Sequence, residues 1–170
     1  MKILLTNDDG YDAVGLKALI KALTPIAKVM VVAPAKNKSA CGHSLTLDKP
    51  LRLISVDDEY YKIDDATPTD CIYLSLGHLF KNGYRPDLVI SGINIGANMG
   101  EDITYSGTAS AAMEAVIHGV PAIAISQVCE DMCRSIVVDW NFELACKVIL
   151  DLISTVQILD ERVQYFTYSF

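Results

Sequence analysis

Short apolar runs alternate along the chain with segments whose apolar residues recur at helical spacing. Residues 3–5 are apolar throughout, as is typical of a strand buried on both faces. Leu16, Leu19 and Leu23 then follow at the spacing of one helix face, and a second apolar run occupies residues 29–33. We therefore predict a strand, a helix and a second strand, which is the right-handed βαβ unit of parallel sheets.

The same alternation continues towards the C-terminus. Residues 51–56 and 60–63 are predicted to pair as a hairpin, and Thr67 is the predicted N-cap of a helix with a capping acid at Asp70. The remaining predicted elements are strands at 87–90 and 121–126, helices at 109–118 and 138–153, and a weak, strand-like tail over 156–170. Together these elements predict one α/β domain over residues 1–170, with a mostly parallel central sheet.

Composition and charge narrow the class of partner. The chain has 170 residues, of which 51% are hydrophobic, and its formal net charge is −7. No stripe of lysine or arginine is visible, which argues against binding to a nucleic-acid polymer. No apolar run reaches the ~18 residues of a membrane span, and the N-terminus lacks a signal-peptide pattern. We therefore expect a cytoplasmic protein that binds no membrane, and a small phosphorylated ligand is compatible with its charge.

The cysteines and histidines form no pattern that is typical of a metal site. The cysteines are Cys41, Cys71, Cys129, Cys133 and Cys146. Because their number is odd and none falls in a C-x-x-C pair, we expect reduced thiols that serve packing. His43, His78 and His118 are too scattered along the sequence to form a histidine metal site, and only His43 lies in a polar loop, at residues 35–49.

Two adjacent carboxylates, Asp8 and Asp9, follow the first predicted strand directly. At ~4 Å and an effective dielectric of ~20, their repulsion amounts to about 4 kcal/mol. Protonation or a bound cation would relieve this repulsion. The other explanation is a helix-capping aspartate beside a solvated neighbour.

Polar loops also follow two other predicted strands. Ser39 lies in the loop after the second strand, and Asn94 and Asn98 lie in a glycine-rich loop after the strand at 87–90. Because the carboxyl ends of parallel strands share one edge of the sheet, these loops can converge on the acidic pair. Two carboxylates, a hydroxyl and an amide oxygen suit Mg²⁺, Mn²⁺ or Ca²⁺ better than zinc.

A predicted helix start at residues 105–108 adds hydroxyl and N–H groups, which together can bind an anion. Plain N-capping by Ser106 or Thr108 explains these residues equally well. Beside a cation, such a helix start would suit a bound phosphate, and metal-assisted hydrolysis of a phosphate monoester is the chemistry that this combination favours. The motifs of P-loop ATP-binding proteins, dinucleotide-dependent dehydrogenases and α/β-hydrolases are all absent from the sequence.

With these residues in view, the chain resembles the SurE family of metal-dependent phosphatases. The matching segments are ILLTNDDG at 3–10, VAP at 32–34 with Asn37 and Ser39, TPTDC at 67–71, SGIN at 91–94 with Gly96, Asn98 and Gly100, and YSGT at 105–108. These segments cover residues 1–127 in the order of the family.

The resemblance implies a Rossmann-like, three-layer α/β domain that hydrolyses nucleoside 5′-monophosphates, and also 3′-nucleotides and short polyphosphate. It implies one divalent cation on Asp8, Asp9, Ser39 and Asn94, and phosphate contacts from Asn98, Ser106, Gly107 and Thr108. Asp8 and Asp9 would be the catalytic pair. The resemblance further implies assembly as a homodimer or tetramer.

The chain departs from the family pattern in four small substitutions and at its C-terminal part. The substitutions place alanine at Ala40, Ala66, Ala109 and Ala115. Relative to the family, the C-terminal part is expected to be shortened and residues 155–170 are expected to be an atypical tail. Two other hypotheses stay open: an aspartyl-phosphate phosphatase with Asp8 as nucleophile, and a truncated, non-catalytic module that binds a nucleotide or another protein.

Overall fold

The computed structural model describes residues 1–79, 85–128, 140–158 and 165–169. Its strands are β1 (Lys2–Thr6), β2 (Lys28–Pro34), β3 (Arg52–Asp57), β4 (Tyr60–Asp64), β5 (Leu88–Ile95), β6 (Ala122–Gln127) and β7 (Tyr165–Ser169). Its α-helices are α1 (Val14–Leu23), α2 (Pro68–Leu74), α3 (Gly107–Ile117) and α4 (Glu143–Ile158). A π-helical turn (Ser75–Leu79) follows α2, and a 3₁₀ turn (Gly100–Thr104) precedes α3.

The described strands form a seven-stranded sheet in the order β3-β4-β2-β1-β5-β6-β7. Neighbouring strands run parallel except in the β3–β4 hairpin. The chain winds outwards from β1 through β2 and then returns to place β5 on the other side of β1. This reversal is a topological switch point, and in open α/β sheets the crevice at the carboxyl ends of such strands is where ligands bind.

Helices cover both faces of the sheet, which explains why β1 is apolar without alternation. Ile3 and Leu5 belong to a buried cluster with α1 and α4, whereas Leu4 belongs to a second cluster with α2 and α3. All three side chains are fully or almost fully buried. The prediction of a three-layer α/β domain with a mostly parallel sheet is therefore confirmed.

Several local predictions are confirmed together with the fold. Of the residues predicted to form the hairpin, 52–56 and 60–63 fall in β3 and β4, which pair antiparallel, and residue 51 precedes β3. Thr67 caps α2, because its Oγ1 accepts the N–H of Asp70 at 3.0 Å while Asp70 Oδ2 accepts the N–H of Thr67 at 2.8 Å. The strand-like reading of the tail is confirmed in part, since β7 pairs with β6.

The bounds of two elements differ from the prediction. The sequence predicts Asn94 in a loop after a strand at 87–90, but β5 continues to Ile95 and contains this residue. Pairing with β6 carries the strand through this segment, with a register shift between Ser91 and Asn94. Helix α4 begins at Glu143 instead of 138 and ends at Ile158; residues 138 and 139 lie outside the described residues.

Within the described residues, no helix is long and apolar enough to cross a membrane. Cys41, Cys71 and Cys146 are free thiols, as expected. Cys129 and Cys133 lie outside the described residues, so the prediction for them stays a prediction.

Candidate functional site

A cavity of about 250 Å³ lies at the carboxyl ends of β1 and β5, at the switch point of the sheet. Its lining consists of Asp8, Ser39, Ala40, Asn94, Ile95, Asn98, Asp102, Tyr105 and Ser106. Five of the eight predicted site residues are in this list, although they come from four separate parts of the sequence. A larger cavity of about 780 Å³ between α1 and α4 contains none of them.

The first turn of α3 fixes Asp8. Thr108 Oγ1 donates to Asp8 Oδ1 at 2.7 Å, and the N–H of Thr108 donates to Asp8 Oδ2 at 3.2 Å. Asp8 is only 3% exposed, and the positive end of the helix dipole favours a carboxylate there. Gly107 permits this close approach, because a Cβ at that position would lie 2.8 Å from Asp8 Cβ and 2.9 Å from Cys41 Sγ.

Asp9 is held much less completely than its neighbour. Its Oδ1 accepts a long hydrogen bond of 3.4 Å from Asn37 Nδ2, while its buried Oδ2 has no hydrogen-bond partner among the described residues. Burial, and then the charge of Asp8, raises the pKa of Asp9 from 3.8 to about 6, although the backbone of Ile95 acts in the opposite direction. A buried, unpartnered carboxylate oxygen beside a second carboxylate is an arrangement that a cation would stabilise.

The loop that carries Ser39 is bonded to the acidic turn. The N–H of Lys38 donates to the carbonyl oxygen of Asp8 at 2.7 Å. Asn37 accepts the N–H of Ser39 at 2.9 Å through its Oδ1 and donates to Asp9 through its Nδ2. Asn37 therefore links Ser39 to Asp9, a role that sequence reasoning missed because the two residues bonded to it are far apart along the chain.

Asn7 closes the acidic turn itself. Its Nδ2 donates to the carbonyl oxygen of Gly10 at 3.0 Å, and its Oδ1 accepts the N–H of Gly10 at 3.2 Å. Gly10 has a φ of +109°, which an L side chain rarely adopts. Sequence reasoning assigned no role to Asn7, although an asparagine three residues before a glycine is a recognisable signal for such a turn.

Asn94 and Asn98 approach the cavity from β5 and from the segment after it. Asn94 Nδ2 donates to the carbonyl oxygen of Gly96 at 2.9 Å, which leaves Oδ1 as the end of the side chain that can bind a cation. Asn98 Nδ2 donates to Ser126 Oγ on β6 at 2.6 Å. Both asparagines are largely buried, so their amides are held in fixed orientations.

The helix start at residues 105–108 combines capping with a position at the cavity. Ser106 Oγ accepts the N–H of Ala109 at 3.1 Å, so the N-capping explanation is confirmed for Ser106, which also lines the cavity. Gly107 and Thr108 do not line the cavity, and Thr108 directs both its hydroxyl and its N–H to Asp8. The phosphate contacts of these three residues and of Asn98 stay predictions.

The donor set fits a hard divalent cation. Carboxylate, hydroxyl and amide oxygens are the ligands that Mg²⁺, Mn²⁺ and Ca²⁺ prefer. Across the described part of the chain, no group of three or more His, Cys, Asp or Glu side chains is placed to hold a metal. A site at Asp8 and Asp9 would therefore need the neutral oxygens of Ser39 and Asn94 to complete it.

Comparison with known proteins decides the family. A family model described as Survival protein SurE matches residues 3–167. The chain belongs to the SurE family. A crystal structure of the SurE protein from Aquifex aeolicus superposes with a TM-score of 0.86 at 40% sequence identity, over 99% of this chain and 66% of that one.

Two curated relatives bear the name 5′-nucleotidase SurE. The protein from Aliarcobacter butzleri is 78% identical over 150 residues, which are 88% of this chain and 57% of the relative. The protein from Sulfurovum sp. is 61% identical over 155 residues, which are 91% of this chain and 58% of the relative. The chain thus spans a little more than half the length of these SurE relatives.

Proposed function

We propose that this SurE-family chain is a divalent-metal-dependent phosphatase that hydrolyses nucleoside 5′-monophosphates to a nucleoside and phosphate. The observation that carries the proposal is the meeting of Asp8, Ser39 and Asn94 at one cavity, with the unpartnered Oδ2 of Asp9 next to Asp8 in sequence. The names of the SurE relatives support the reaction class. 3′-Nucleotides and short polyphosphate are further substrates that the family resemblance implies.

Asp8, Asp9, Ser39 and Asn94 would hold the cation. A divalent cation bound there supplies Lewis-acid polarisation of the phosphoryl group and makes a water more acidic. Thr108 contributes indirectly, because its two hydrogen bonds hold the carboxylate of Asp8 in a fixed orientation. Among the described residues that line the cavity there is no His, Cys or Lys, so we assign the proton of the attacking water to either Asp8 or Asp9.

The phosphoryl group would lie in the cavity between Asn98 and Ser106. The amino-terminal end of α3 favours an anion at that position. In the reaction the phosphorus forms a bond to the oxygen of water while its bond to the ester oxygen breaks, and the nucleoside leaves as an alcohol once that oxygen is protonated. The cavity of about 250 Å³ suits the phosphoryl end of the substrate, with the nucleoside at its open rim.

Release of phosphate from 5′-AMP tests the proposal directly. The 170-residue chain is expected to release phosphate with Mn²⁺, Mg²⁺ or Ca²⁺, and EDTA is expected to stop the reaction. Assays of a nucleotide panel against each metal would identify the preferred pair. Release that persists unchanged in EDTA would contradict the dependence on a metal.

The second candidate is a non-catalytic module that binds a nucleotide at the same cavity. Calorimetric binding of AMP without turnover in any of the three metals would support this candidate over the phosphatase. An aspartyl-phosphate mechanism at Asp8 is less well supported, because enzymes that use one favour a D-x-D motif, whereas Asp8 and Asp9 are adjacent in this chain. Trapping a covalent phosphoenzyme would support the aspartyl-phosphate mechanism. We also propose a homodimer or tetramer, as the family resemblance implies.

A further inference from the structure

Helix α3 carries a buried carboxylate that contacts two imidazoles. Glu114 is 6% exposed, and its Oε2 lies 2.7 Å from His43 Nε2 while its Oε1 lies 3.0 Å from His118 Nε2. Burial of an ionised carboxylate is costly unless it is partnered. A carboxylate oxygen accepts hydrogen bonds, and an imidazole Nε2–H is the donor that fits each of these two contacts.

The two imidazoles connect different parts of the molecule. His118 lies four residues after Glu114 at the end of the same helix, so this pair stays within one element. His43 is separated from Glu114 by 71 positions and belongs to the polar loop at residues 35–49, which also carries Ser39. The His43–Glu114 pair therefore joins the Ser39 loop to α3, whose first turn holds Asp8.

The other hydrogen bonds that anchor this loop reach residues outside α3. The N–H of Lys38 bonds to the carbonyl oxygen of Asp8, and the N–H of Gly42 bonds to the carbonyl oxygen of Tyr105 at 2.9 Å. Further along, the N–H and hydroxyl of Thr46 bond to the carboxylate of Asp70 in α2. Among the described residues, His43 makes the one side-chain hydrogen bond that runs from this loop to α3.

We propose that the His43–Glu114 pair is a tether that fixes the Ser39 loop against α3 and thereby sets the position of Ser39 relative to Asp8. His43 is a positioning residue, because it acts through the loop and does not line the cavity. The inference rests on the proposed metal site, since the benefit of a fixed spacing is a preorganised pair of ligands. Groups that hydrogen-bond directly to metal ligands contribute roughly 10- to 100-fold to metal affinity or activity, and we expect a tether that acts on Ser39 through the loop to fall at the low end of that range.

Loss of the tether should loosen the loop without dismantling the fold. His43 is partly exposed, and the backbone hydrogen bonds of Lys38 and Gly42 do not involve its side chain. We expect His43→Leu to weaken Mn²⁺ binding and raise the KM for AMP by about tenfold each, with kcat at saturating metal and substrate within about twofold of the original.

Two further variants serve as matched comparisons. In His43→Gln the amide nitrogen replaces Nε2 as a donor to Glu114, so this variant should restore the tether. His118→Leu removes the other imidazole from the same carboxylate while leaving the loop attached. Amide hydrogen exchange at Gly42 is measured in the metal-free 170-residue chain, and Mn²⁺ affinity is then measured by calorimetry.

The tether predicts exchange at Gly42 that is roughly tenfold faster in His43→Leu, with slow exchange in both His43→Gln and His118→Leu. It also predicts weaker Mn²⁺ binding in His43→Leu alone. Unchanged exchange in His43→Leu, equal acceleration in His118→Leu, or faster exchange with unaltered Mn²⁺ affinity would each overturn it. Exchange and metal binding need no turnover, so a chain that releases no phosphate would contradict the proposed function while these measurements still decide the tether.

Discussion

Asp8→Asn and Asp9→Asn are each expected to abolish the EDTA-sensitive release of phosphate from 5′-AMP. Each change removes one negative charge and one strong oxygen donor from the proposed cation site. Because partners one step removed from a metal already contribute roughly 10- to 100-fold, loss of a direct ligand should reduce activity by at least about a hundredfold. Phosphate release at a series of Mn²⁺ concentrations measures the loss, and full activity in both variants would exclude the mechanism.

Stability measurements separate this loss of activity from a loss of folding. The pKa of Asp9 is raised to about 6 in the folded chain, so its ionised form opposes folding. The stabilising contribution of protonated Asp9 is complete below about pH 4 and is lost as the pH rises through about 6. In EDTA at pH 7.5, Asp9→Asn should therefore unfold at the same temperature as the original chain or at a higher one. A lower unfolding temperature would mean that inactivity reflects damage to the fold.

Gly15→Ala is expected to destabilise the fold strongly, although alanine is the better helix former. A Cβ at Gly15 would lie closer than 3.0 Å to the backbone carbonyl oxygen of Ile93 and 3.1 Å from its carbonyl carbon. The gain in helix propensity is about 1 kcal/mol, whereas overpacking costs 1–3 kcal/mol or more. The contact is with the backbone of β5, so no side-chain rotation can relieve it. We expect a net loss of at least about 1 kcal/mol in the free energy of unfolding.

Gly77→Ala is the matched control for that substitution. Gly77 lies in the π-helical turn after α2, and a Cβ there would meet no atom within 4 Å. Its free energy of unfolding should stay within about 0.5 kcal/mol of the original. Urea denaturation of both variants measures the difference, and equal stability of the two would contradict the close packing of α1 on β5.

Because Ile93 precedes Asn94, we also expect Gly15→Ala to weaken Mn²⁺ binding.

Local signals explain why much of the fold could be predicted from the sequence. The apolar run at β1 has no alternation because helices cover both faces of the sheet. The capping residues Thr67 and Asp70 act within one helical turn, so a few neighbouring letters specify them. By contrast, the extension of β5 to Ile95 runs through glycine and asparagine, which are depleted in strands. Pairing with β6 decides that extension, and a pattern within one segment cannot reveal it.

The candidate site likewise has one part that could be predicted from the sequence and another that could not. The positions of Asp8, Ser39 and Asn94 could be anticipated, because the carboxyl ends of parallel strands share one edge. The bonds of Thr108 to Asp8, and of His43 to Glu114, join residues 100 and 71 positions apart. No spacing rule links such residues, so their roles became visible only in three dimensions.

Anomalous diffraction from crystals of the 170-residue chain grown with Mn²⁺ tests the central claim most directly. The proposed metal site predicts one strong manganese peak within about 2.5 Å of the carboxylates of Asp8 and Asp9, of Ser39 Oγ and of Asn94 Oδ1. A manganese peak at Glu114 and its histidines, or the absence of any peak beside Asp8 at saturating Mn²⁺, would contradict it.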